Sequence, residues 1–390
     1  MIHVQEAKQR MMADAARLPA VVVPLLQAHG RFAWEDVPAP FDHPLFDCSA
    51  MDGYAFAFDE NATQWTVVGE VAAGGTFQRR LAKGECVRIF TGGMLPEGAD
   101  TVVMQELAQR HDDSINHTDA KLKKGGNVRL KGEQLRAGEV AVEAGTRLGA
   151  AAIGLLASVG VRDVKVAARP RVALLVSGNE FAEGTLPQPG KIFGSNGVML
   201  LSALQALGIQ AELAVVPDDR PALIAAWRRL AADHDAILST GGVSVGDYDL
   251  IPATLQELGA SIHLHGVMQK PGKPLLYGRL GRCAVFGLPG NPRAVMVLFG
   301  EYVAPWLRAV QGAAAPGPET DLLPLAHAVR IKGNRAEFRA ARVLHGRVEL
   351  LPDEGSHMLR SLAGANAIAF IPADQRELAG GQLVEVHYLD

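Results

Sequence analysis

Cysteine is nearly missing from this 390-residue chain: Cys48, Cys86 and Cys283 lie far apart and form no C-x-x-C pair. Neither a disulfide framework nor a thiolate zinc site follows from them, and a reducing cytoplasm suits such a sequence. Aromatic residues are scarce at 6%, too few for the stacking platforms that grip single-stranded nucleic acid. No basic excess exists either, with 38 Lys+Arg against 42 Asp+Glu and a net charge of -4. Phosphate-backbone binders carry clustered surplus positive charge, so nucleic acid is not an expected partner. Long apolar runs are also lacking. Residues 19–28 form the longest one near the start, and they hold two prolines and fall far short of a bilayer span. The sequence therefore predicts no signal peptide and no membrane anchor.

What remains is a chain rich in glycine, at 42 residues, and 48% hydrophobic, enough to build several cores. Apolar residues at helical spacing predict an amphipathic helix over 3–17 and a second helix over 149–160, expected to share one helical unit. Between them, short β-rich runs at 65–71, 86–90 and 101–107 are separated by glycine and proline turns, which predicts an inserted β domain. Residues 110–126 are polar and aperiodic and read as an exposed hairpin or loop.

Strands at 171–177, 210–216, 236–239, 261–267 and 283–288 alternate with helices at 195–208, 219–233, 250–258 and 292–310. Apolar strands interleaved with helices of this length specify a doubly wound parallel α/β sheet. Residues 311–324 read as a linker, and the alternating runs at 336–344, 347–351, 367–371 and 383–388 predict a small C-terminal β-barrel or sandwich.

Four loops follow strands of the α/β unit: 177–180, 239–249, 269–274 and 287–292. Such sheets bind ligands outside the carboxyl ends of their strands, and glycine-rich turns there aim backbone N–H groups at anions. Lys270 and Lys273 add cations to that rim, while Glu180, Asp218, Asp219, Asp247 and Asp249 bring carboxylates. Acids beside phosphate-type loops suit Mg²⁺, which takes one or two carboxylates plus ligand oxygens. The plainer reading of each acid is a helix cap or a first-turn charge.

Three shorter patterns compete with this reading. Gly242-Val243-Ser244-Val245-Gly246 satisfies G-x-S-x-G, but two acids follow Ser244 and would oppose a developing oxyanion. Residues 184–191 resemble a Walker A loop with one residue too many, and Ile192 stands where a magnesium-binding hydroxyl belongs. His263 and His265 share a strand face without a third ligand, so they predict no metal centre.

With these residues in view, the chain resembles the molybdopterin molybdenumtransferase family, the MoeA and gephyrin group. Residues 49–55 (Ser-Ala-Met-Asp-Gly-Tyr-Ala), residues 88–100 and the four loops carry the likeness in order along nearly the whole chain. The resemblance implies a multidomain α/β protein: a split helical N-terminal domain (1–45 and 134–167), an inserted β domain (46–133), a molybdopterin-binding α/β domain (168–311) and a C-terminal β-barrel domain (318–390). It implies a homodimer with the active site between subunits. It also implies insertion of molybdate into adenylylated molybdopterin, dependent on Mg²⁺, with release of AMP.

Roles follow position by position. Asp52 and Thr91 resemble residues contributed across the dimer to the nucleotide side. Glu180, Asp218 and Asp249 match acids implicated in Mg²⁺ and substrate binding, with Glu180 and Asp249 as the metal ligands. Lys270, Lys273, Arg335 and Ser356 match groups that hold the oxyanion, with Glu180, Asp249 and the two lysines expected to be catalytic. Ser177, Gly241, Gly242, Ser244, Pro274 and Asn291 complete the expected substrate contacts. The chain departs from the family pattern at Gln134, Gly194, Gly266 and Ala294, and Arg293 is expected to compensate for lost contacts. A non-catalytic paralogue that carries molybdopterin or binds partner proteins is the alternative.

Overall fold

The computed structural model describes residues 1–181, 184, 186–243, 250–352 and 355–389. Helix α1 (Val4–Ala13) buries Val4, Ala7 and Met11, the stripe that its i, i+3, i+7 pattern dictates. The chain then enters strand β1 (Ala20–Pro24) and an inserted sheet of β2 (Gly53–Phe56), β3 (Trp65–Val71), β4 (Glu85–Ile89), β5 (Thr101–Met104), β6 (Ala108–His111) and β7 (Ser114–His117). Its strand order is β5-β2-β4-β3-β7-β6. The polar stretch expected as a hairpin or loop contains β7 and its turn from β6.

Helix α2 (Ala150–Ser158) and strand β8 (Asp163–Ala167) follow, with β8 antiparallel to β1. The grouping of α1 with α2 is not what forms. Leu156 of α2 packs with Leu25, Leu148, Val164 and Val166, whereas α1 lies against the central sheet. The reason is a long-range pairing: β1 and β8 form a ribbon that supplies α2 with its apolar partner.

The central unit comprises β9 (Val172–Ser177), α3 (Asn196–Ala206), β10 (Ala211–Val216), α4 (Arg220–Asp233), β11 (Ala236–Thr240), α5 (Leu250–Glu257), β12 (Ser261–His265), β13 (Gln269–Lys270), β14 (Leu276–Leu280), β15 (Cys283–Leu288), α6 (Pro292–Leu298) and α7 (Ala304–Val310). The sheet order is β10-β9-β11-β15-β14-β12. Strands β10, β9, β11 and β15 are parallel, and β14 runs against both β15 and β12. The sheet is thus parallel at its heart and antiparallel at one edge. Strand β14 is missed by pattern reading because it is short, is interrupted by Gly278 and Arg279, and sits directly after a proline-rich loop.

Alternate residues of β9 serve opposite cores, as strand geometry requires. Val172 and Leu174 face α1, α3, α6 and α7, while Ala173 and Leu175 face Trp227, Leu230, Ile251 and Leu255 of α4 and α5. Asp219 caps α4 by accepting a bond from Ala222 N at 3.0 Å. Ser195 does not cap α3, because its backbone is in the helical region rather than the extended one a capping serine needs.

The long helix expected over 292–310 is interrupted by a π turn at Phe299–Val303. Pro305 explains the break: without an N–H it cannot bond the carbonyl of Glu301 one turn earlier.

Strands β16 (Thr320–Pro324), β17 (Ala336–Leu344), β18 (Arg347–Leu350), β19 (Ala367–Ile371) and β20 (Leu383–Tyr388) make the C-terminal sheet, together with the short helix α8 (Arg360–Ala363). Its path is β13-β17-β19-β20-β16, so β13, from the loop after β12, is its edge strand. The segment read as a linker therefore ends inside this sheet, at β16. Phe338 of β17 and Ile368 of β19 join the core containing α1 and α6.

Candidate active site

Strand polarity gathers the loops. The parallel strands β9, β11 and β15 end at one edge, and β12 ends there too because it runs antiparallel to β14. Register makes this concrete: Leu276 pairs with both His265 and Gly287. The loop from Gly266 to Leu275 therefore stands beside the turn after β15.

Two adjoining recesses open at this edge. The first, about 230 Å³, is lined by Ser177, Glu180, Phe181, Ile192, Phe193, Asn196, Gly241 and Gly290 among others. The second, about 490 Å³, is lined by Lys270, Lys273, Pro274, Asn291, Ala294, Arg335 and Ser356 among others. The turn Pro289-Gly290-Asn291 forms their common wall, with Gly290 on one side and its two neighbours on the other. One recess is largely apolar with a carboxylate at its wall; the other is ringed by cations.

The cationic recess is held by named bonds. Gln269 is buried and its Nε2 donates to Pro271 O at 2.8 Å, while its Oε1 accepts from the Tyr302 hydroxyl. Burial pushes the Tyr302 hydroxyl far above the ordinary tyrosine range, so it stays a donor. Gly272 has φ +93°, and a Cβ there would sit 2.8 Å from the Leu298 side chain, so only glycine lets the loop lie this close to α6. Arg335 Nη1 donates to Gln269 O at 3.2 Å. Asn291 Nδ2 donates to Ser356 Oγ at 3.0 Å, tying the turn after β15 to the C-terminal unit. Lys273 is exposed: its carbonyl accepts from Val267 N at 2.9 Å, and its ammonium has no hydrogen-bond or ion-pair partner among the described residues.

The other expected residues divide. Asp218 is exposed beside Asn179, whose Oδ1 accepts from its backbone N at 3.3 Å, and it lines neither recess. Gly242 sits behind the rim, accepting from Ile251 N at 3.1 Å. Asp52 and Thr91 belong to the inserted sheet and line neither recess of their own chain. There the Asp52 carboxylate accepts from Thr91 N at 2.8 Å and Thr91 Oγ1 at 2.7 Å, bonds that hold it below the usual carboxylate range. Ser244 and Asp249 lie outside the described residues. Among the described residues no group of three His, Cys, Asp or Glu stands close enough to hold a metal, and no helix is long and apolar enough to cross a membrane. His263 lies 3.6 Å from Asp14, and His265 Nε2 lies 2.9 Å from Val243 O. Burial pushes Cys86 and Cys283 up to about 12.

Three family descriptions match in succession: "MoeA N-terminal region (domain I and II)" over residues 2–160, "Probable molybdopterin binding domain" over 173–309 and "MoeA C-terminal region (domain IV)" over 323–389. A molybdopterin molybdenumtransferase of Nostoc sp. is 36% identical over 383 residues, covering 94% of this chain and 88% of the relative. The chain belongs to the molybdopterin molybdenumtransferase family of enzymes. A Staphylococcus epidermidis molybdopterin molybdenumtransferase is 31% identical, with coverage of 99% and 95%. The crystal structure of the molybdopterin biosynthesis moeA protein from Pyrococcus horikoshii OT3 superposes with a TM-score of 0.87 at 28% identity, covering both chains fully.

Within the molybdopterin molybdenumtransferase frame, the departures gain positions. Gly194 lies under the ring of Phe181, where a Cβ would come within 3.1 Å of the ring, so this chain fills with an aromatic wall the space an acid would claim. Ala294 lines the cationic recess, and Gln134 is exposed far along the chain. Arg293 does not compensate as expected. It is 1% exposed and its Nη1 reaches Ser361 Oγ of α8 at 3.3 Å, because as the second residue of α6 it points into the core rather than the recess. Sequence reasoning missed Phe181, Ile192 and Phe193, apolar residues in a loop that line the first recess, and the buried Glu337 beside Lys270.

Proposed function

We propose that this protein acts in molybdenum cofactor biosynthesis, inserting molybdate into adenylylated molybdopterin with release of AMP. The observation that carries the reading is the pair of adjoining recesses with opposite chemistry, one apolar and one cationic, on the edge where such sheets bind ligands. Molybdate is a dianion, and two ammonium groups and a guanidinium meeting in one cleft match it. In this reading Lys270, Lys273 and Arg335 hold the oxyanion and Ser356, positioned by Asn291, donates a hydrogen bond to it.

The apolar recess, with Ser177 and Gly241 in its lining, takes the organic part of the substrate. The reactive sulfurs belong to that substrate, so no protein nucleophile is needed. Glu180 and Asp249 would hold Mg²⁺, with Asp218 nearby. One exposed carboxylate at the recess fits a magnesium ion that arrives largely coordinated by substrate oxygens and water. Such an ion would neutralise charge on the phosphoanhydride as it splits. Asp52 and Thr91 fit a homodimer in which the inserted sheet of one subunit completes the nucleotide side of the other. Asp249→Asn then impairs turnover more than folding, as equal loss of melting temperature and activity would contradict.

A second reading, binding of molybdopterin without turnover, draws on Ala294 and Gly194, which take polar groups out of the recess linings. Incubating the purified protein with adenylylated molybdopterin, Mg²⁺ and molybdate separates the two. Molybdate-dependent AMP release supports the enzyme; tight binding without release supports the carrier.

A further inference from the structure

Lys270 enters the cationic recess from β13, a two-residue strand whose partner is the start of β17. The pairing is parallel and sets Lys270 directly against Glu337. Glu337 is 4% exposed, and its Oε1 lies 3.3 Å from Lys270 Nζ. Its other oxygen, Oε2, lies 3.8 Å from Nε of Arg339, itself 8% exposed. A buried carboxylate thus stands behind the recess between two cations, one of which faces the ligand space. Lysine has a flexible stem and a rotatable ammonium, so a lysine that is to meet an oxyanion in a fixed geometry needs an outside restraint.

We propose that Glu337 is a positioning residue of the cationic recess: it holds the Lys270 ammonium at the wall and tempers the recess charge, so that the metal oxyanion is bound in register yet loosely enough to pass to the substrate. The assignment rests on the functional reading above for the identity of the oxyanion, but the restraint on Lys270 stands on its own geometry. Two opposite consequences follow from removing the carboxylate charge. The recess becomes more positive, so a dianion binds more tightly. The ammonium loses the restraint that Glu337 supplies, so turnover falls.

Glu337→Gln keeps the size and the hydrogen-bond acceptor while removing the charge, and Glu337→Asp keeps the charge on a shorter stem. Full-length wild type and both variants are compared in three ways. Competitive acetylation read by mass spectrometry, with Lys273 as the internal reference, needs neither substrate nor turnover. Lys270 is expected to react about fivefold faster in Glu337→Gln, since the buried Glu337 charge no longer favours the ammonium form. In the AMP-release assay, Glu337→Gln should lower KM for molybdate about threefold and kcat about tenfold, with Glu337→Asp recovering most of both. Thermal melting shows what fraction is folded, so that rates are expressed per folded molecule. Unchanged Lys270 labelling overturns the proposal, as does a rise in KM with no change in kcat per folded molecule, the signature of a structural residue alone. If wild type releases no AMP, the functional reading fails, and the labelling still decides the role of Glu337.

Discussion

Two clusters of buried charge stitch the C-terminal sheet to the rest of the molecule, and they differ in what they face. At the recess, Glu337 of β17 meets Lys270 and Arg339, and Lys270 opens onto the ligand space. At the far side, Glu301 of the π turn meets Lys8 of α1 at 2.6 Å and His387 of β20 at 2.7 Å, and His387 also reaches Glu385 at 2.7 Å. Glu301 and His387 are both 3% exposed. On the proposed function the first cluster would lend a charge to chemistry; the second joins three elements. Substitutions should therefore separate cleanly into losses of turnover and losses of stability.

The largest effect belongs to the sealed cluster. Glu301→Gln leaves Lys8 and His387 without their shared counter-charge, and breaking a buried pair costs about 4 kcal/mol. Urea unfolding should show it as a lowered midpoint, with turnover per folded molecule intact; a loss of turnover alone would merge the two clusters. Lys273→Ala is the reverse case: AMP release falls about 100-fold, as for loss of one preorganised electrostatic contact, while the melting temperature of this exposed site barely moves.

Arg335→Lys sharpens the contrast within the recess. A planar fork replaced by a point charge cannot hold both Gln269 O and an oxyanion, so kcat/KM drops about tenfold with little change in stability. A silent Arg335→Lys would remove the guanidinium from the oxyanion site.

The smallest effect is pH dependence. Both nitrogens of His387 face carboxylates, and despite burial these bonds raise its pKa above the ordinary value, while His387 and Lys8 hold Glu301 below its own. A raised histidine contributes stability that is full below about 6.5 and is lost as pH rises through its folded value. A lowered glutamate contributes stability above about 4.5 that is lost as pH falls through its folded value. Melting temperature should peak in the mildly acid range and decline on the alkaline side. His387→Gln should flatten the alkaline decline, and an unchanged slope would place the titration elsewhere.

Much of this was legible in the chain. Strands β9, β10, β11 and β15 are apolar runs between helices, and such runs name themselves through period and punctuation. Their carboxyl-end loops then had to share an edge, which is why Lys270, Lys273 and Asn291 could be placed together without coordinates. Three features were hidden for physical reasons. Strand β14 lacks a clean alternation. Helix α1 leaves its sequence neighbours because β1 pairs with β8, joining residues 20–24 to 163–167, and no local pattern encodes that distance. Arg293 reads as a rim cation by its neighbours Asn291 and Pro292, yet its helical phase turns it into the core. Glu337 was hidden differently: a charged residue on an alternating strand reads as outward-facing until the parallel pairing with β13 covers it.

The most direct test is AMP release from adenylylated molybdopterin by the purified full-length protein with Mg²⁺, with and without molybdate. Release that requires molybdate, and that falls steeply in Lys273→Ala, is the expected result. Release at the same rate without molybdate, or none while substrate is bound, would contradict the assignment of the cationic recess to an oxyanion that takes part in the reaction.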